Sequence, residues 1–294
     1  MVRDRSFGSQ FFTILNLLLL AVIGLICIIP LLHILAVSFS DRAATIAHLV
    51  VLWPIRFNLE NYNRILGFDQ FRRSFNISVM RVVGGTIISM LVTVLTAYPL
   101  SLRENFMGKS LVRWLLIISM LFSGGLIPWY LTLKSLHLIN NLWGLILPGM
   151  VSVWNILIAL NFFRSLPVEI SEAAEIDGAS HLDILFQIYL PLSMPMLATL
   201  TLFTAVGHWN AWFDGMVLMT DIQKYPLQTY LMSQLQNLSS LTNTVSMDPT
   251  LFKYLSERSL RGAQIILTTI PILLLYPFLQ RYFVQGLILG SVKG

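Results

Sequence analysis

Five of the chain's fourteen acidic residues, Glu169, Glu172, Glu175, Asp177 and Asp183, crowd into one short stretch around EAAEIDGASHLDILFQIYLP, with long uncharged runs on either side. Carboxylates spaced this way on short helices can dock a partner by charge and hydrogen bonding. Glu169 and Glu172 suit the positive end of a helix dipole. Pro167 reads as a first-turn proline, where a missing N–H costs little. Gly178 reads as the left-handed residue that closes the helix. Ser180-His181-Leu182-Asp183 reads as a capping box with Asp in the place of the usual Glu or Gln. Two short helices with a bend at Gly178 are therefore expected, with Ala173 and Ala174 as a small-residue surface that another protein can approach. The plain alternative is a solvated connecting loop, the usual fate of a charge run.

A second cluster, GHWNAWFDG, places Trp209, Asn210 and Asp214 close together. Aromatic faces with a few hydrogen-bonding groups hold sugars in otherwise apolar pockets. Trp and Tyr also form interfacial belts, so pathway lining and belt packing stand as alternatives for these three. Asn210 favours a cavity, because an amide facing lipid is costly. Trp143 and Trp154 read as belt or core. Other chemistries lack their residues. Cys27 is the one cysteine, with no CxxC or Cys/His set, which argues against a disulfide, structural zinc or any other metal. Met107-Gly108-Lys109-Ser110 resembles the tail of a P-loop, but the glycine required five positions before Gly108 is Arg103. No serine sits in a nucleophile-elbow motif, and no basic stripe interleaved with aromatics points to nucleic acid.

The elements that must position these residues follow from composition. The chain has 294 residues, of which 56% are hydrophobic and only 11% charged. Soluble domains carry about 25% charged residues, so this is a membrane protein. The net charge of +5 needs no nucleic acid, since Lys and Arg flanking membrane spans account for it. Six windows lack Asp, Glu, Lys and Arg: 11–40, 82–102, 114–133, 135–163, 184–213 and 262–280. Each reaches the roughly 18 residues that suggest a transmembrane helix, and in lipid such segments are helical. The expected fold is all-α and polytopic, with six transmembrane helices in one membrane domain over residues 1–294. The basic start followed by an apolar run to Val37 with no A-x-A site reads as a retained first span.

Short loops set the orientation. Residues 101–113 carry Arg103, Lys109 and Arg113, whereas 134–141 carry only Lys134. The first loop is therefore cytoplasmic, as are both termini and the acidic segment 164–191. The longer loops 41–73 and 221–261 face outward and exceed simple connectors. The outward segments then hold eleven Lys and Arg, Arg81 among them, against seven Asp and Glu, Asp214 among them, a formal excess of about four. This fits either a basic rim meeting lipid headgroups or an acidic partner, or the steering of a polyanionic sugar by hydrated, screened charges. Ion-coupled carriers need ionisable groups at membrane depth. In the windows the titratable imidazoles are His33, His137 and His208, so an external energy source is expected. Pro191, Pro195, Pro271 and Pro277 read equally as kinks and as hinges.

The run Glu172-Ala173-Ala174, three residues, Gly178, nine residues, Ile188-Tyr189-Leu190-Pro191 resembles the EAA loop of bacterial ABC-importer permeases of type I fold. FFRSLPVEISEAAEIDGAS, VGHWNAWFDG, KYPLQTYL and YPFLQRYFVQGLILGSVKG extend the resemblance over nearly the whole chain, to carbohydrate-uptake permeases of a lipoprotein-associated subgroup. The subgroup includes importers of acidic oligosaccharides such as alginate. The resemblance implies a non-enzymatic subunit in the bacterial cytoplasmic (inner) membrane. It implies a second, different permease, an ATPase dimer that binds ATP and Mg, and an extracytoplasmic solute-binding protein that delivers an oligosaccharide. This chain would bind no cofactor itself. The first helix of 164–191 would couple to the ATPase, with Glu172 and Asp177 as anchors, Ala173 allowing close packing and Gly178 the bend. The tail 285–294, with Gly290, Lys293 and Gly294, would touch the ATPase pair. Two rivals stay open: a permease for amino acids or peptides, and a non-transporting membrane scaffold.

Overall fold

The computed structural model describes residues 7–102, 107–241 and 258–291. All regular structure among the described residues is helical. The chain forms two compact units, residues 1–68 with 238–271, and residues 69–237 with 272–294.

In the first unit, α1 (Phe7–Ser38) is a 32-residue apolar helix whose side chains from Phe11 to Leu32 are largely exposed, as lipid-facing residues must be. Its end is fastened by polar contacts. The Ser38 hydroxyl meets the Tyr62 hydroxyl at 2.8 Å, and Asn61 Nδ2 donates to the Ser38 carbonyl at 3.2 Å. Phe39 stacks on Phe57 and Tyr62. Two short helices follow, α2 (Arg42–Ile46) and α3 (Glu60–Gly67). The first turns of the last helix, α15 (Arg258–Ser291), run against α1, where Gly262 permits the approach: a Cβ there would stand 3.2 Å from the Ile34 carbonyl oxygen.

The second unit is organised by α4 (Asp69–Ser101). Ser74, Ser78, Gly85, Ser89, Thr93 and Ala97 recur at helical spacing and are buried, while Met80, Val83, Ile87, Leu91 and Leu95 on other faces are about half exposed. In lipid there is no hydrophobic drive between helices, so small residues make the packed face and large apolar ones meet the solvent. Along this stripe α4 packs on α8 (Val153–Ser165) and α12 (Met194–Asn210). At one end Tyr98, Phe163 and Tyr189 close the core edge to face, with ring centroids 5.0 to 6.4 Å apart.

The six windows become unequal elements. By length and composition α1, α4 and the part of α15 to Leu275 can each cross a membrane, and two bent pairs raise the number to five. The window 114–133 divides into α5 (Lys109–Leu121) and α6 (Leu126–Ser135), because Phe122 is extended and Gly125 takes φ +79°. The expected count of six is therefore not met by unbroken helices. The window 135–163 holds α7 (Leu142–Ile146) and a 3₁₀ turn before α8, with a 45° bend. The window 184–213 bends by 81° at Ser193, between Pro191 and Pro195. Pro271 and Pro277, by contrast, lie inside α15, which continues through both.

Candidate functional site

The acidic segment begins as α8 ends at Ser165. Leu166 and Pro167 are extended, so Pro167 precedes α9 (Val168–Ile176) and does not sit in its first turn. Glu169 is in that turn. The helix closes as expected: Gly178 takes φ +83°, its N–H donates to the Glu175 carbonyl at 3.0 Å, and Ala179 N–H donates to the Ala174 carbonyl at 2.9 Å. Gly178 carries no clash a Cβ would worsen; the left-handed backbone alone selects it. A capping box then opens α10 (His181–Asp183), with Ser180 N–H on Asp183 Oδ2 at 3.1 Å and Asp183 N–H on Ser180 Oγ at 3.3 Å. The Ser180 hydroxyl also donates to Asp183 Oδ2 at 2.5 Å, and that bond, with the one from Ser180 N–H, holds the Asp183 carboxyl below its usual value.

Glu172, Ala173 and Asp177 are exposed. Ala174 is half-buried and packs on the chain's own core. The most exposed apolar residue of α9 is Ile176, at 87%. Its only sequence signal is its place one turn after Glu172 and Ala173. Behind α9 lies a cleft of about 490 Å³ whose lining includes Lys109, Arg113, Arg164, Glu172, Glu175 and His181. Lys109 is buried and donates to the Leu102 carbonyl, which gives the Gly-Lys-Ser run a helix-start role in place of a phosphate-binding one. Of the tail residues, Gly290 falls within α15, and Lys293 and Gly294 lie outside the described residues.

The second site is built on the buried stripe of α4. Arg81 stands in that stripe between Ser78 and Gly85 and is 3% exposed. Past α12 the chain extends at Ala211 and turns into α13 (Phe213–Leu218). The turn is tight, since a Cβ on Gly215 would collide with the Thr229 hydroxyl. This return brings Asp214 onto Arg81. The guanidinium pairs with both carboxylate oxygens, one at 3.2 Å, and also donates to the Ala211 carbonyl at 3.2 Å. Beside the pair, the His208 ring lies against Gly85, where a Cβ would fall 2.5 Å from Nε2. Asn155 Nδ2 donates to Thr204 Oγ1 at 3.0 Å, and Thr204 spends its own proton on the Leu200 carbonyl. Arg81, Ser89, Asn155, Thr204, His208 and Asp214 line a cavity of about 320 Å³.

Arg81 and Asp214 are thus not the hydrated, separated outward charges that the loop count assumed. The helix begins twelve residues before Arg81, so the charge-free window starting at 82 missed the start of the span. Removing one cation and one anion leaves the formal excess on the outward side unchanged. Among the expected pathway residues, Asp214 lines the cavity, Trp209 is buried edge to face on Phe75 with centroids 5.8 Å apart, and Asn210 is exposed. Arg81, His208, Ser89 and Asn155 were not singled out as site residues. Only His208 carried a sequence signal, as an imidazole inside an uncharged window.

The model of the family "Binding-protein-dependent transport system inner membrane component" matches residues 2–289. Protein LplC of Bacillus subtilis (strain 168) is 41% identical over 287 residues, 98% of this chain and 96% of that one. The polygalacturonan/rhamnogalacturonan transport system permease protein YtcP of the same strain is 38% identical over 281 residues, 94% of this chain and 96% of that one. Among solved structures, a chain of a bacterial ABC transporter involved in the import of the acidic polysaccharide alginate aligns with a TM-score of 0.84 and 31% identity. That alignment covers 95% of this chain and 98% of the other.

Proposed function

Because the chain belongs to the family of binding-protein-dependent transport system inner membrane components, we propose that it is one permease subunit of an ATP-driven oligosaccharide importer. A second, different permease completes the passage, and two ATPase subunits hold ATP and Mg and do the hydrolysis. An extracytoplasmic binding protein delivers the sugar. The relatives support a sugar substrate: YtcP is named for polygalacturonan and rhamnogalacturonan, and the solved neighbour belongs to an alginate importer. Both of those are acidic polysaccharides, so uronate oligosaccharides head the candidate substrates.

The observation that carries the coupling role is α9 itself. Glu172, Ala173, Ile176 and Asp177 face away from the core beside a left-handed Gly178, while Ser171 and Ala174 anchor the opposite side. A charged rim around an exposed apolar side chain fits a docking surface. ATP-driven closure of the ATPases moves α9. The motion passes through the capped bend at 178–183 into the span that follows, whose 81° break between Pro191 and Pro195 supplies a hinge. Both termini are cytoplasmic, and the tail 285–294, with Gly290, Lys293 and Gly294, meets the ATPase pair. The test is to purify the assembled complex and measure ATP hydrolysis and uptake in vesicles with uronate and neutral oligosaccharides. Stimulation by one class with uptake supports the reading. A complex without a co-purifying ATPase, or one that responds only to amino acids or peptides, rejects it.

A further inference from the structure

Two residues that line the cavity beside the Arg81–Asp214 pair carry buried polar atoms without partners. Arg81 Nε–H has no acceptor, and Ser89 Oγ, wholly buried, has no partner. An unmet buried donor carries a desolvation cost, and native proteins keep such groups where a ligand or water completes them. We propose that this cavity is a sugar subsite within this subunit, where the Arg81–Asp214 pair and Ser89 grip the ring hydroxyls of one unit of the transported oligosaccharide. The proposal rests on the importer reading above.

Size and lining fit a single ring. A volume of about 320 Å³ lies at the low end of small-molecule sites, which run from roughly 300 to 1,000 Å³. Leu145, Pro148 and Phe203 give apolar walls for the C–H faces of the ring. The charge balance selects which part of the sugar is read. Asp214 already neutralises Arg81, so the pair has no net charge to offer. A uronate carboxylate at this depth would be a second anion facing Asp214, and burying an unpaired charge costs far more than burying a hydrogen-bonded hydroxyl. A hydroxyl both accepts and donates. It can take the Arg81 Nε–H while giving its own proton to the carboxylate. Asn155, oriented by Thr204, and the His208 ring add further polar atoms on the same wall. The subsite therefore reads hydroxyls, and any preference for acidic sugars is set elsewhere on the path.

The test uses the whole complex in vesicles, with trigalacturonate and galactotriose as probes. Ser89→Ala removes a hydroxyl that has no partner within the protein, so the fold loses no internal hydrogen bond by it. Arg81→Lys keeps a cation opposite Asp214 but removes the Nε–H. In each variant the uptake KM should rise roughly three- to tenfold, the worth of one hydrogen bond, by the same factor for each probe the complex transports. The comparison is made per assembled complex. Unchanged KM values in both variants overturn the proposal and leave the cavity to water. Where both probes are transported, a rise for trigalacturonate alone also overturns it, because the cavity would then read carboxylates. Failure of the parent reading looks different: the unsubstituted complex would take up neither probe, and both proposals would fall together.

Discussion

The carboxylates of α9 and the carboxylate of Asp214 are held in opposite ways. Glu172 and Asp177 stand in water on a surface helix. Their charge costs little there and is free for a partner. Asp214 is 23% exposed and is committed to a guanidinium that is 3% exposed. In water an ion pair is worth about 0–1 kcal/mol, while breaking a buried one by removing a partner costs about 3–5 kcal/mol. The same chemical group is thus left open to solvent in one region and is a structural commitment in the other.

The largest expected effect follows from breaking the buried pair. Asp214→Ala leaves Arg81 buried and unpaired and should lower stability by about 3–5 kcal/mol, read as thermal unfolding of the detergent-purified chain. Replacing both residues by Leu should cost less than the single change. If Asp214→Ala melts like the parent, the pair is not the commitment described. Next comes the glycine under His208. Gly85→Ala places a Cβ 2.5 Å from the imidazole and should cost about 1–3 kcal/mol as overpacking. Gly24→Ala, with nothing within 4 Å, serves as the neutral control, and equal melting of the two would remove the close-contact account.

On the surface helix the order of effects reverses between stability and transport. Gly178→Ala forces an L side chain into φ +83°, a cost of about 1–2 kcal/mol. Asp177→Lys should leave melting and membrane insertion nearly unchanged. It should still lower uptake roughly tenfold or more, because a reversed charge at a docking surface costs several kcal/mol. Normal uptake by the Asp177→Lys complex would remove α9 from the coupling path. Buried-pair variants and α9 variants should therefore separate cleanly when melting is plotted against transport.

Legibility in the sequence divided along the same line. The bend at Gly178 and the Ser180–Asp183 capping box are local, and their turn chemistry is written in consecutive residues. The helical class followed from uncharged windows alone. The site around Arg81 joins residues separated by 133 positions, and no periodicity links them. Arg81 was hidden because helix ends were placed at the limits of charge-free runs, whereas α4 carries its charge inside a stripe of small residues. The rotation of α9 was hidden for a related reason. The EAA spacing identifies a helix but not its rotation, and only packing decides that Ala174 turns inward and Ile176 outward. The break at Gly125 shows the same limit, since 114–133 is apolar enough for one helix and two consecutive glycines divide it.

Ile176 has a consequence for the life of the chain before assembly. An isoleucine 87% exposed, on a helix we propose to be cytoplasmic, is an adhesive spot for as long as no partner covers it. A newly inserted copy made without its companions would display that spot to chaperones and proteases, which act on exposed apolar surface. The amount of this subunit in a cell is then expected to follow the supply of its cytoplasmic companion, and Ile176→Ser should lengthen the half-life of the chain when it is produced alone.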